Sequence, residues 1–161
     1  MKGNDAMREK MDTQKIIQSQ YLSALAMLEQ VSVKCPETVW NAPGDKDKFW
    51  KKAYHTLFYV HLYLQDVEAD FRPWKKQHEN EETPYTRDEI LEYLSLTKEM
   101  VRERLPQINL EAESGFYWLP FNKLELQLYN IRHIQQHTGE LYERLGTCAN
   151  IKLDWVGMQP A

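Results

Sequence analysis

The chain has 161 residues, 42% of them hydrophobic and 27% charged, with 20 Lys+Arg against 24 Asp+Glu for a net charge of −4. That length fits one domain with a real hydrophobic core, and the acidic balance, with no basic run longer than two residues, argues against a nucleic-acid partner. No stretch approaches the ~20 apolar residues of a membrane span, and the N-terminus lacks the apolar core of a secretory signal, so the expected location is the cytoplasm.

Residues 1–11 are polar and expected to be disordered, with the folded domain taking 12–161. A first helix starts at Asp12, a good N-cap residue. Ile17, Tyr21, Ala24, Leu25, Leu28 and Val31 follow one helical face, and Pro36 stops it. The segment 35–44, with two prolines and a glycine, reads as a loop, although Trp40 is apolar enough to tuck against the core. Asp45 or Asp47 is expected to cap a second helix over about 48–69. Its apolar residues, from Phe49 and Trp50 to Leu64 and Val67, leave little of the circumference polar, so this helix should be the most buried.

Phe71-Arg72-Pro73-Trp74 ends that helix, and a charged surface loop follows to Pro84. Thr86-Arg87-Asp88-Glu89 is a capping box opening a third helix, which runs to about Leu105 before Pro106. A second long connection, 107–118, ends in Phe116-Tyr117-Trp118; loop aromatics of this kind, with Trp40, are expected to close the ends of the helices rather than to form a substrate pocket. Pro120 suits the first turn of a fourth helix, with Gly146 as its C-cap, and Ile151, Leu153, Trp155 and Val156 suggest a tail packed on the rest. No strand alternation and no repeat appears. The expectation is an all-α four-helix bundle with long connections after helices one and three. Cys35 and Cys148 are expected to be reduced thiols.

The chemistry concentrates in Asn130-Ile131-Arg132-His133-Ile134-Gln135-Gln136-His137-Thr138-Gly139-Glu140-Leu141. Histidines four apart on a helix project from one face and can grip one divalent metal. On the wheel, His133 and His137 share a strip with Leu126, Asn130 and Leu141, flanking the apolar centre of Ile131, Ile134, Thr138 and Leu145; an ordinary surface histidine could stand there too. Helix two offers His55 and His61. Six residues turn a helix by roughly 240°, so the two cannot face one site, and wheel geometry leaves the choice between them open. His78 lies in the charged loop and should be solvated. Glu140 and Asn130, each three residues from a histidine, are candidates to orient the rings, against the plain alternative of solvated helix residues. Tyr59, one turn from His55, either lines the cleft or packs with its hydroxyl at the rim. The pairs Lys51-Lys52 and Lys75-Lys76 read as solvated faces, and no Gly-rich phosphate loop, nucleophile elbow or CxxC is present.

Phe49-Trp50-Lys51-Lys52-Ala53-Tyr54-His55-Thr56-Leu57-Phe58-Tyr59 resembles the second helix of the DinB-like (YfiT-like) four-helix-bundle superfamily. His133 to Leu141 is similar to that family's closing motif, HxxxHxGEL. The resemblance covers about residues 12–146. It implies a divalent metal (zinc, nickel, iron, manganese or cobalt) on His55, His133 and His137, with water completing the shell and a position open for chemistry. It also implies a metal-dependent enzyme acting on a small molecule, either a thiol-dependent transferase or isomerase using a low-molecular-weight thiol, or a hydrolase. A homodimer is implied as well. The alternative is a non-catalytic, stress-associated metal-binding or scaffold dimer.

Overall fold

A computed structural model of the protein describes residues 12–75 and 83–159. The expected disorder of 1–11 and the expected solvation of Lys76 and His78 lie outside those residues. The chain is all-helical: α1 (Thr13–Lys34), α2 (Glu37–Trp40), α3 (Phe49–Tyr63), a 3-10 turn (Glu68–Asp70), α4 (Arg87–Arg104), a second 3-10 turn (Leu105–Gln107) and α5 (Lys123–Ala149). Among the described residues the only β pairing is an isolated bridge, Glu113 with Asn122. Helices α1 and α3 each pack against both α4 and α5. No helix among the described residues is long and apolar enough to cross a membrane.

Local chemistry explains most helix ends. The Asp12 side chain accepts the Lys15 N–H at 3.0 Å, as an N-cap should. At Thr86 the full capping box forms, the hydroxyl taking the Glu89 N–H and the Glu89 carboxylate taking the Thr86 N–H at 2.9 Å. Nine of the fifteen residues of α3 are buried, which makes it the densest contributor to the core. Trp40 is buried, but on a one-turn helix rather than a loop; its indole N–H donates to the Tyr85 carbonyl at 2.8 Å and its ring lies 5.3 Å from Phe49.

Several boundaries differ from expectation, each through a tertiary partner. Neither Asp45 nor Asp47 caps α3. Asp45 pairs with Arg144 at 3.5 Å, Asp47 pairs with Lys52 at 2.6 Å, and Lys48 takes the N-cap position without a side-chain cap bond. Helix α3 ends at Tyr63, not near Ala69: the His61 and Tyr63 carbonyls, which a continued helix would offer to the Gln65 and Val67 N–H groups, accept from Gln65 Nε2 at 2.9 Å and Gln127 Nε2 at 3.3 Å, and the turn beyond is held from outside. Lys123 Nζ donates to the Gln65 and Asp66 carbonyls at 2.9 and 2.6 Å, and Arg104 Nε donates to Leu64 at 3.4 Å. Gly115 sits at φ +84 against this turn, where a Cβ would run into the Asp66 carbonyl oxygen.

Helix α5 starts after Pro120, with Asn122 as N-cap accepting the Glu125 N–H at 2.9 Å. It runs past Gly146 to a left-handed Asn150, φ 53. In the connection, Phe116 is buried in a cluster with Leu62, Tyr63, Leu119 and Leu126, so it closes that end of the fold, whereas Tyr117 is 90% exposed and does not. The tail packs Ile151 and Leu153 on the core and is tied to α1 by Gln30 and Asp154, yet Trp155 is 75% exposed. Burial pushes the Cys35 thiol up to about 12, which keeps it unreactive; the exposed Cys148 is also a free thiol.

Candidate metal centre

The α3–α5 seam brings three histidines together. His55 projects from α3, and His133 and His137 project from successive turns of α5. One ring nitrogen of each lies within 4.8 Å of the others. Ring centroids are 5.2 Å apart for His55–His133, 4.9 Å for His55–His137 and 4.5 Å for His133–His137. The choice left open on helix two is thereby resolved. His61 is buried on the other side of α3, with Nδ1 3.1 Å from the Tyr93 hydroxyl and its ring 4.9 Å from Phe71.

His133 and His137 stand half-buried, and His55 is exposed at the edge. The core wraps further toward them than the wheel suggests: Leu126, Asn130 and Leu141, assigned to the flanking strip, are fully buried. Burial first, then the His137 and His55 charges, holds the His133 ring down to about 4. The same two causes, desolvation by the flanking walls and the His137 charge, hold His55 below its ordinary value despite its open edge. Both shifts favour the neutral ring, the form in which imidazole binds a metal.

The three rings are close enough to hold one metal ion. Nε2 of His55 and Nε2 of His133 face each other at 3.2 Å. Two lone pairs at that distance repel unless a proton or a cation lies between them, and two nitrogens on one zinc at ~2.1 Å and the tetrahedral angle stand roughly 3.4 Å apart. Nδ1 of His137 donates to the Glu140 carboxylate at 3.0 Å. An ionised carboxylate only accepts, so a proton sits on Nδ1, and in the neutral form of this ring the lone pair is on Nε2. Nδ1 of His133 is buried with no partner, and so is the Asn130 carbonyl oxygen one turn earlier.

Of the remaining sequence candidates, Glu140 does orient a ring. Asn130 is bonded to none of the three; its amide donates to the Tyr59 carbonyl at 3.5 Å. Tyr59 walls the site, its ring 4.8 Å from His55 and 5.3 Å from His133. The structure adds a residue that was assigned to a solvated face. Lys52 has a side chain only 13% exposed and bridges Asp47, at 2.6 Å, to Glu140. That pair is the first cause, ahead of the bond to His137, of a Glu140 carboxyl held down to about 2. The signal was available, since Lys52 precedes His55 by three residues and so shares its side of the helix. An open cavity of about 500 Å³ lies elsewhere, on the 111–122 connection, and none of the three histidines lines it.

These features define an all-helical protein with a three-histidine group between two helices. No protein-family model, curated protein or solved structure matches the chain.

Proposed function

We propose that the protein is a divalent-metal-dependent enzyme built on a DinB-like four-helix bundle. It holds its ion on His55, His133 and His137 and acts on a small molecule by thiol-dependent transfer or isomerisation, or by hydrolysis. The observation that carries this reading is the convergence of three imidazoles, one of them oriented by a carboxylate, with an exposed edge at His55. Three protein nitrogens leave a position for a reacting group, as catalytic sites of this kind do. The pairwise packing of α1 and α3 on α4 and α5 supports the bundle assignment.

A divalent ion at this position supplies Lewis acidity, lowering the pKa of a coordinated water or thiol or polarising a substrate oxygen. The chain's own residues do the rest. Glu140 keeps the proton on Nδ1 of His137, so that ring presents Nε2. Nδ1 of His133 has no such partner, and the buried Asn130 oxygen one turn earlier is not bonded to it. The Tyr59 ring covers one flank of His55 and His133 and keeps water from that side.

Metal analysis of purified protein beside His55→Ala, His133→Ala and His137→Ala tests the proposal. A stoichiometric first-row ion in the wild type and its loss from each variant is the expected result; unchanged metal content in all three refutes it. A second reading, a non-catalytic metal-binding dimer, draws on the exposed Ile16 and Val33 of α1 and Leu128 of α5. Sedimentation of Ile16→Lys and Leu128→Lys tests the dimer, since one built on those side chains dissociates in the variants, and an absence of thiol-dependent turnover in the metal-loaded wild type separates this reading from the enzyme.

A further inference from the structure

We infer that Lys52 is a positioning residue of the metal centre, acting through Glu140 to fix the ring of His137; the inference rests on the metal-binding reading above. Lys52 lies one turn before His55 on α3, and its ammonium is held from two sides, by Asp47 in the segment before the helix and by Glu140 on α5. Glu140 is itself 40% exposed, and its other neighbour is a weak donor, Gln136 at 3.5 Å. A glutamate on such a helix face samples several rotamers and points mainly to water. An ammonium already anchored by Asp47 selects the one rotamer that also reaches Nδ1 of His137. The chain Asp47–Lys52–Glu140–His137 thus runs from the start of α3 across to the ligand on α5. Its middle link is largely shielded, unlike an ordinary surface ion pair, which contributes little. Carboxylate partners of ligating histidines set ring orientation and ligand basicity, so Lys52 should govern affinity without touching the ion.

The test is cobalt(II) titration in competition with a chromophoric chelator, with d–d absorption and melting temperature recorded alongside. The proteins are wild type, Lys52→Met, Lys52→Arg, Glu140→Gln, the Lys52→Met/Glu140→Gln double variant and His137→Ala. Lys52→Met is expected to weaken cobalt binding about tenfold and to change the d–d spectrum. Lys52→Arg, which keeps the charge, should stay within about threefold of wild type. In the Glu140→Gln background, Lys52→Met should add less than about twofold, because its route to the ligand is already cut.

Wild-type affinity in Lys52→Met, even with a lowered melting temperature, overturns the inference and leaves Lys52 an interhelical ion pair. Additive losses in the double variant overturn it equally. If Lys52→Met does not fold, Asp47→Asn takes its place; a loss of about threefold supports the inference and unchanged affinity refutes it. If His137→Ala loses cobalt while Lys52→Met keeps it, only this inference fails. If wild type and His137→Ala alike bind none, the metal reading fails with it.

Discussion

Replacing Lys123 with methionine tests how the turn after α3 is held. The Lys123 side chain is one heavy atom longer than methionine's, and the residue is only 4% exposed. Its ammonium donates to the Gln65 and Asp66 carbonyls at 2.9 and 2.6 Å and lies 5.3 Å from the centre of the Phe116 ring. Methionine removes two charge-assisted bonds worth ~1.5–3 kcal/mol each and strands two carbonyls. It also removes the cost of burying a charge, which already lowers the Lys123 pKa, and it adds apolar burial. The net expected loss is about 2–4 kcal/mol, which at ~3 °C per kcal/mol for a chain of this size is a melting-point drop of about 6–12 °C. Urea titration should show a lower midpoint with an unchanged slope. Metal affinity should stay close to wild type, because eight residues of helix, about 12 Å, separate His55 from the end of α3. An unchanged midpoint refutes the claim that this lysine holds the turn after α3.

Three further outcomes are expected. His61→Ala should cost about 2–3 kcal/mol, through lost packing on Phe71 and an unpartnered Tyr93 hydroxyl, yet retain metal; loss of metal would mean the wrong helix-two histidine was assigned. Gly115→Ala should cost at least about 2 kcal/mol in a urea titration, since φ +84 and the Asp66 carbonyl both oppose a Cβ; a neutral effect contradicts the described turn. In metal-free protein, His133 held down to about 4, with His55 and His61 also lowered, sets a pH profile. A histidine with a depressed folded pKa binds its proton better when unfolded, so the contribution is fully present above ~6.5 and is lost as pH falls toward 4. His133 alone accounts for at most about 3 kcal/mol, trimmed by solvent screening at a half-buried ring. A flat urea midpoint between pH 7.5 and 4.5 would refute that burial.

Where a signal was local, it was legible. The Asp12 cap, the Thr86–Glu89 box, the stop at Pro106 and the shared face of His133 and His137 all follow from residues within one turn of each other. The errors came where distant residues compete for local groups. Asp45 and Asp47 are good cap residues, but Arg144 and Lys52 take them first. Leu62-Tyr63-Leu64 continues a helical pattern, but Gln127, some sixty residues on, bonds the Tyr63 carbonyl and Lys123 holds the turn beyond it. His55 and His61 are equivalent on a wheel; only the placement of α4 against one side of α3 and α5 against another separates them. Lys52 was misread because a paired lysine and a solvated one look alike until the helix carrying Glu140 is in place.

The ring nitrogens of His55 and His133 that face each other at 3.2 Å are 78 residues apart in the chain. An ion between them is a cross-link closing a long loop, and it can form only once α5 has docked on α3. Such a ligand binds the folded state alone, so it stabilises by RT ln(1 + [M]/Kd), about 2.7 kcal/mol when free metal is a hundred times Kd. If the proposed ion binds there, one coordination sphere ties α3 to α5, and the apparent stability of the fold should rise with free metal concentration.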